Sequence, residues 1–84
     1  MLLVRNMTNT DLAERLKTEL LQAIENQMER KQISQGEVAR RIGAFRSNVN
    51  QVLRGKANAS LDFLVKIAES VELDVEMKFK NLKV

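Results

Sequence analysis

The chain changes its hydrophobic period once. Leu12, Leu16, Leu20, Ile24 and Met28 recur every fourth residue, with Ala13 and Ala23 beside them. That spacing predicts the apolar face of one long amphipathic helix, over about residues 10–31. Thr8, Asn9 and Thr10 supply N-cap candidates, Asp11 is a first-turn acid, and Glu14, Glu19, Glu25 and Glu29 fall mostly on the opposite face. Ser34 and Glu37 have the Ser-x-x-Glu spacing of a capping box. They predict a second helix over about residues 35–42, with Val38, Ala39 and Ile42 inward. Gly43 fits the position just past a helix, where a positive φ is needed. A third helix, about residues 46–54, has Val49, Val52 and Leu53 as its apolar edge and ends in the same way at Gly55. Asn58 and Ser60 mark a loop and an N-cap. Phe63, Leu64, Ile67, Ala68 and Val71 predict a fourth helix over about residues 61–71.

From Val71 the period becomes two. Leu73, Val75, Met77 and Phe79 alternate with Glu72, Asp74, Glu76, Lys78 and Lys80, the pattern of a strand with one buried face. The fold class expected is therefore all-α: a small domain of four to five helices with one C-terminal β-strand, over about residues 72–80. A lone strand leaves backbone groups in need of partners. Met1 to Val4 offer a short terminal one; the same strand of a second subunit is the better explanation. With two copies antiparallel about a two-fold axis at Met77, Glu76 faces the Lys78 position of the other copy and Asp74 the Lys80 position. Opposite charges so placed help by about 0.2–1 kcal/mol each, and the axis repeats every pair. The strand Leu73, Asp74, Val75, Glu76, Met77, Lys78, Phe79 and Lys80 is thus the expected homodimer contact.

Composition narrows the rest. Eighty-four residues make one small domain, and 44% apolar residues with three Phe and no Trp or Tyr give it an aliphatic core. The absence of Cys and His removes disulfides, Cys- or His-ligated zinc and His- or Cys-dependent nucleophiles. The carboxylates are scattered over solvent faces, with no glycine-rich phosphate loop, so no enzyme, metal or cofactor is expected. No apolar run reaches the roughly 18 residues of a membrane span, and Met1 to Met7 are too weakly apolar for a signal peptide. A soluble, cytoplasmic protein is expected.

The net charge of +3 acquires meaning when it is located. Arg30, Lys31, Arg40, Arg41, Arg46, Arg54 and Lys56 stand against Glu37 alone, which makes residues 30–56 +6; residues 1–29 and 57–84 are −2 and −1. The same basic segment holds two short helices around a glycine turn, and the second has an outward face of amide, hydroxyl and guanidinium groups. Such a face suits the major groove of DNA, whose base edges offer donors and acceptors to those groups. The surrounding cations are the footprint of a phosphate-binding surface.

Residues 32–79 resemble the helix-turn-helix family of Cro/CI-type repressors, the XRE type. The resemblance rests on Ile33-Ser34-Gln35, Val38-Ala39, Ile42-Gly43, the run from Arg46 to Lys56, Ser60-Leu61, and Leu64 with Ile67-Ala68. It implies that the second and third helices form the DNA-reading pair. Arg46 and Ser47 then meet base edges at the start of the third helix, with Asn50 and Gln51 one turn on, and Arg46 and Gln51 as the main readers. Gln35 matches the glutamine that bonds phosphate and buttresses the reader, beside Ser34 at a helix N-terminus. Arg54, Lys56 and Asn58 match the phosphate-holding loop; Arg41 joins them as a candidate, and Asn48 points to the backbone or to solvent. One position departs from the family. Where Ser or Thr usually caps the third helix, this chain has Phe45, expected in the core, with contact to a thymine methyl as the alternative.

The function implied is a sequence-specific DNA-binding regulator, a repressor acting as a homodimer on an inverted-repeat operator. The C-terminal strand also resembles the dimer-forming strand of some antitoxins of type II toxin–antitoxin modules. This adds a toxin as a candidate partner, one that would dock on the folded domain or on the N-terminal segment. The rival class is a helical protein-interaction module whose basic face is incidental.

Overall fold

The computed structural model describes the backbone of residues 2–81 and the side chains of residues 11–81. Four helices follow one another: α1 (Leu2–Lys31), α2 (Gln35–Ile42), α3 (Arg46–Leu53) and α4 (Leu61–Ser70). Among the described residues there is no strand, and no helix is long and apolar enough to cross a membrane. α2 packs on both α3 and α4, and α1 packs on α4. Ile24, Val38, Val49, Ile67 and Val71, one or two from each part of the chain, are fully buried at the centre.

All four helices stop by one device. Gln32, Gly43, Gly55 and Glu72 have φ between 57° and 74°. The amide after each bonds back five residues: Ile33 to Met28, Ala44 to Ala39, Lys56 to Gln51 and Leu73 to Ala68, each at 2.9 Å. This is the Schellman ending, which satisfies carbonyls that the helix leaves without partners. At three of the four, the residue after the left-handed one is apolar and packs on the core: Ile33, Ala44 and Leu73. After α3 it is Lys56, which is exposed. Gly43 and Gly55 adopt the left-handed conformation without a Cβ penalty; Gln32 and Glu72 adopt it against one. Glu72 has compensation. Its carbonyl accepts from Gln27 Nε2 at 3.1 Å, and its carboxylate accepts from Lys31 Nζ at 2.9 Å. Gln27, the buried polar side chain of α1, in turn accepts from Arg30 through Oε1 at 3.0 Å. The start of the C-terminal segment is thereby tied to the end of α1.

Two expectations about α1 are corrected. The helix begins at Leu2, so Thr8, Asn9 and Thr10 lie inside it and not at its N-cap position. The apolar stripe does not stay on one face either. Residues spaced by four drift by about 40° per step on a helix of 3.6 residues per turn. Leu21, Ile24, Gln27 and Met28 are buried, whereas Leu12 and Leu16 are exposed, Leu16 at 56%.

The expected C-terminal strand has no ladder within the described chain. Backbone bonds end at Leu73, and none is made by residues 74–81 to other described backbone. The side chains still alternate over the first part: Leu73 and Val75 are half-buried, and Asp74 and Glu76 exposed. Met77 and Phe79 stand out at 58% and 87%. Together with Leu16, Leu20, Leu61 and Leu64 the segment borders a mostly apolar groove of about 690 Å³.

Gln32 carries the left-handed penalty without the bonds that hold Glu72. Gln32→Gly is expected to raise stability by about 0.5–1 kcal/mol in urea unfolding, whereas Gln32→Ala gives no gain.

Candidate nucleic-acid interface

α3 is amphipathic in the narrowest sense. Val49, Val52 and Leu53 are buried, Asn50 is half-buried, and Arg46, Ser47, Asn48 and Gln51 are exposed, with Arg54 following as the exposed C-cap. Ser47, Gln51 and Arg54 share one face by their spacing of four and three. Arg46 lies beside them, across the first turn of α2. A methyl group built on Gly36 would stand 3.9 Å from the Arg46 Cδ and 3.8 Å from the Ser34 Oγ. Gln35 and Asn50 are joined, Asn50 Nδ2 donating to Gln35 Oε1 at 3.0 Å. The glutamine at the start of α2 thus braces α3 through Asn50, while Gln51 is left outward.

The N-terminus of α2 is capped: Ser34 Oγ accepts from the Glu37 amide at 3.1 Å. The capping box is only half formed, because the Glu37 carboxylate turns outward to Arg40 and Arg41 rather than back to Ser34. One acid thus serves two cations of the basic segment, which leaves a single net positive charge there. Arg41 also donates through Nη1 to the Ser70 carbonyl at the end of α4. This places Arg41 on the α2–α4 seam, at the far end of α2 from Ser34 and Gln35. Lys31 is likewise committed to Glu72. Arg46, Arg54 and Lys56 make no ion pair among the described residues. α3 and the turn after it therefore carry three positive charges with no counter-ion among the described residues.

Asn58 is held from an unexpected side. Lys17 Nζ on α1 donates to Asn58 Oδ1 at 3.1 Å and sits 3.8 Å from Glu14. α1 thus fixes the loop between α3 and α4, a contact across 41 residues that no local pattern announces. Lys17, Gly36 and Glu37 are the residues that shape this site without having been singled out for it. Of these, only Glu37 carried a readable signal, its spacing of three and four to Arg40 and Arg41.

Phe45 is corrected outright. It is 77% exposed rather than in the core, and it is the N-cap of α3, with no side-chain capping bond. Its backbone is extended, with φ −79° and ψ 142°.

A family model described as a helix-turn-helix domain matches residues 4–80. The chain belongs to the helix-turn-helix domain family. In the helix-turn-helix domain, α2 and α3 are the two helices around the turn at Gly43, and the family makes the protein a DNA-binding regulator in outline. Neither the curated proteins nor the solved structures give a match.

The Arg40 guanidinium, and then that of Arg41, hold the Glu37 carboxyl below the usual range by hydrogen bonding to its charged form. A carboxyl lowered on folding stabilises the fold above its unfolded pKa, and the contribution is lost as pH falls through the folded value. Glu37→Gln is accordingly expected to flatten the acid limb of the stability profile below about pH 5, read as urea midpoints against pH.

Proposed function

We infer that the protein is a sequence-specific transcriptional regulator, a repressor that binds as a homodimer to an operator with inverted half-sites. One observation carries the DNA-reading half: the outward face of α3 joins exposed Arg46, Ser47 and Gln51 to Arg54 and Lys56, and the acids of the described chain leave the three cations unpaired. Arg46 is suited to guanine O6 and N7, and Gln51 to adenine N6 and N7. Ser34 and Gln35 at the α2 N-terminus, with Arg54 and Lys56, are suited to phosphates. The Lys56 amide is bonded to the Gln51 carbonyl, so a phosphate contact and a base contact share one rigid turn.

The dimer rests on the C-terminal segment. Its backbone from residue 74 to 81 lacks partners among the described residues, and its charges are self-complementary about Met77. Antiparallel pairing with a second copy meets both requirements at once. Two copies then present two α3 helices to successive turns of one DNA face, about 34–36 Å apart. Bound over a promoter, such a dimer blocks polymerase. The antitoxin version of this function uses the same DNA face and adds a toxin as second partner; co-purification with the product of a neighbouring gene separates the two.

Selection of bound DNA from a random pool tests the reading, and enriched sites are expected to show inverted symmetry. On such a site Arg46→Ala should cost about 1–3 kcal/mol and relax one base position. Lys56→Ala should weaken all sequences alike and lower the salt slope by about one for each protomer. Binding by both variants equal to that of the wild type in footprinting would refute the assigned face. For the dimer, Glu76→Lys should shift sedimentation towards monomer, and the added Lys78→Glu should restore the dimer; no restoration rules out the Met77 register.

A further inference from the structure

Six large apolar side chains are conspicuously exposed among the described residues: Leu12, Leu16, Phe45, Leu61, Met77 and Phe79. Leu16, Leu61, Met77 and Phe79 line the groove beside the C-terminal segment, and Leu12 lies one turn before Leu16 on the same side of α1. Phe45 alone is elsewhere. It stands next to exposed Arg46, Ser47 and Asn48, at the start of α3.

The backbone that carries the ring is also held in place. The Phe45 carbonyl accepts from the amides of Asn48 and Val49 at 3.0 and 3.2 Å, so the backbone that carries the ring is fixed to the first turn of α3. α2 and α4 begin at Ser34 and Ser60, whose hydroxyls accept from the amides of Glu37 and Phe63. α3 forgoes that bond and leaves in its place an apolar ring open to water. A lone aromatic amid polar and cationic neighbours is too small a patch for a protein interface. On the floor of the major groove the one apolar group is the 5-methyl of thymine. When α3 docks by its N-terminal end, Phe45 is the residue that leads it in.

We propose that Phe45 is a specificity-determining residue that packs its ring on a thymine 5-methyl group next to the base pair contacted by Arg46. The inference rests on the DNA-reading assignment above and adds an apolar element to a face otherwise made of hydrogen-bonding groups.

Uracil in place of thymine removes the methyl and leaves every hydrogen-bonding edge intact. The wild-type protein is taken first through selection from a random DNA pool. Each thymine of the enriched site is then replaced singly by uracil, and affinity is measured by fluorescence anisotropy. One replacement in each half-site is expected to weaken wild-type binding about fourfold, the worth of one buried methyl. The variant Phe45→Ser, which supplies a capping hydroxyl and whose fold is checked by circular dichroism, should bind thymine and uracil sites equally. Tight binding to the selected site with no loss at any uracil overturns the role of Phe45 and leaves DNA reading intact. An equal uracil loss in wild type and Phe45→Ser assigns the methyl to another residue and also overturns it. Failure of the wild type to enrich any sequence overturns the DNA-reading assignment and this inference together.

Discussion

The burial of Val49, Val52 and Leu53 on one edge of an eight-residue helix is the constraint on which the other features depend. An isolated helix of that length is unstable in water, because nucleation costs more than two turns return. α3 exists because its apolar edge is pressed against the core formed with α2 and α4. The same edge decides what remains outside. With residues 49, 52 and 53 turned in, residues 47, 51 and 54 are turned out, and no choice of side chains on the outward face is needed to hold the helix. That division frees the outward face for polar and cationic groups. The Gln35–Asn50 bond adds a rotational lock, fixing the roll of α3 relative to α2.

Electrostatics completes this partition. The acids that lie near the basic segment are spent on Arg40, Arg41 and Lys31; Arg41 lies on the α2–α4 seam and Lys31 at the end of α1. None reaches Arg46, Arg54 or Lys56. Three cations without a counter-ion on α3 and its following turn produce a local positive field. The ion pairs themselves are exposed and stabilise little. Their larger effect is on where the uncompensated charge stands.

Much of this was legible in the sequence where the signal is local. Ser34, Ser60, Gly43 and Gly55 mark helix ends by chemistry that acts within a few residues, and the buried edge of α3 follows from its spacing. The misreadings have physical causes. A four-residue repeat looks like one face over two turns but drifts by about 160° from Leu12 to Met28, which is why Leu12 and Leu16 emerge into solvent. Gln32 and Glu72 take left-handed conformations that side-chain type argues against; the apolar residues after them, Ile33 and Leu73, were the clue, since each packs back on the core. Phe45 was expected inside because phenyl groups usually are, and an N-cap position has no inward direction to offer it. Lys17 and Asn58 meet only through the tertiary fold. The C-terminal segment was read from its alternation, but alternation alone says nothing of what its backbone bonds to.

That segment also bears on solubility. An uncovered row of amides and carbonyls is a template on which further chains can stack without limit. In this chain the row is interspersed with Asp74, Glu76, Lys78 and Lys80. Their order rewards one antiparallel alignment and brings like charges together in a parallel, in-register stack such as a fibril requires. The same four side chains that favour a closed pair thus discourage an open aggregate, and a chain in dilute solution can carry a bare edge without becoming a seed.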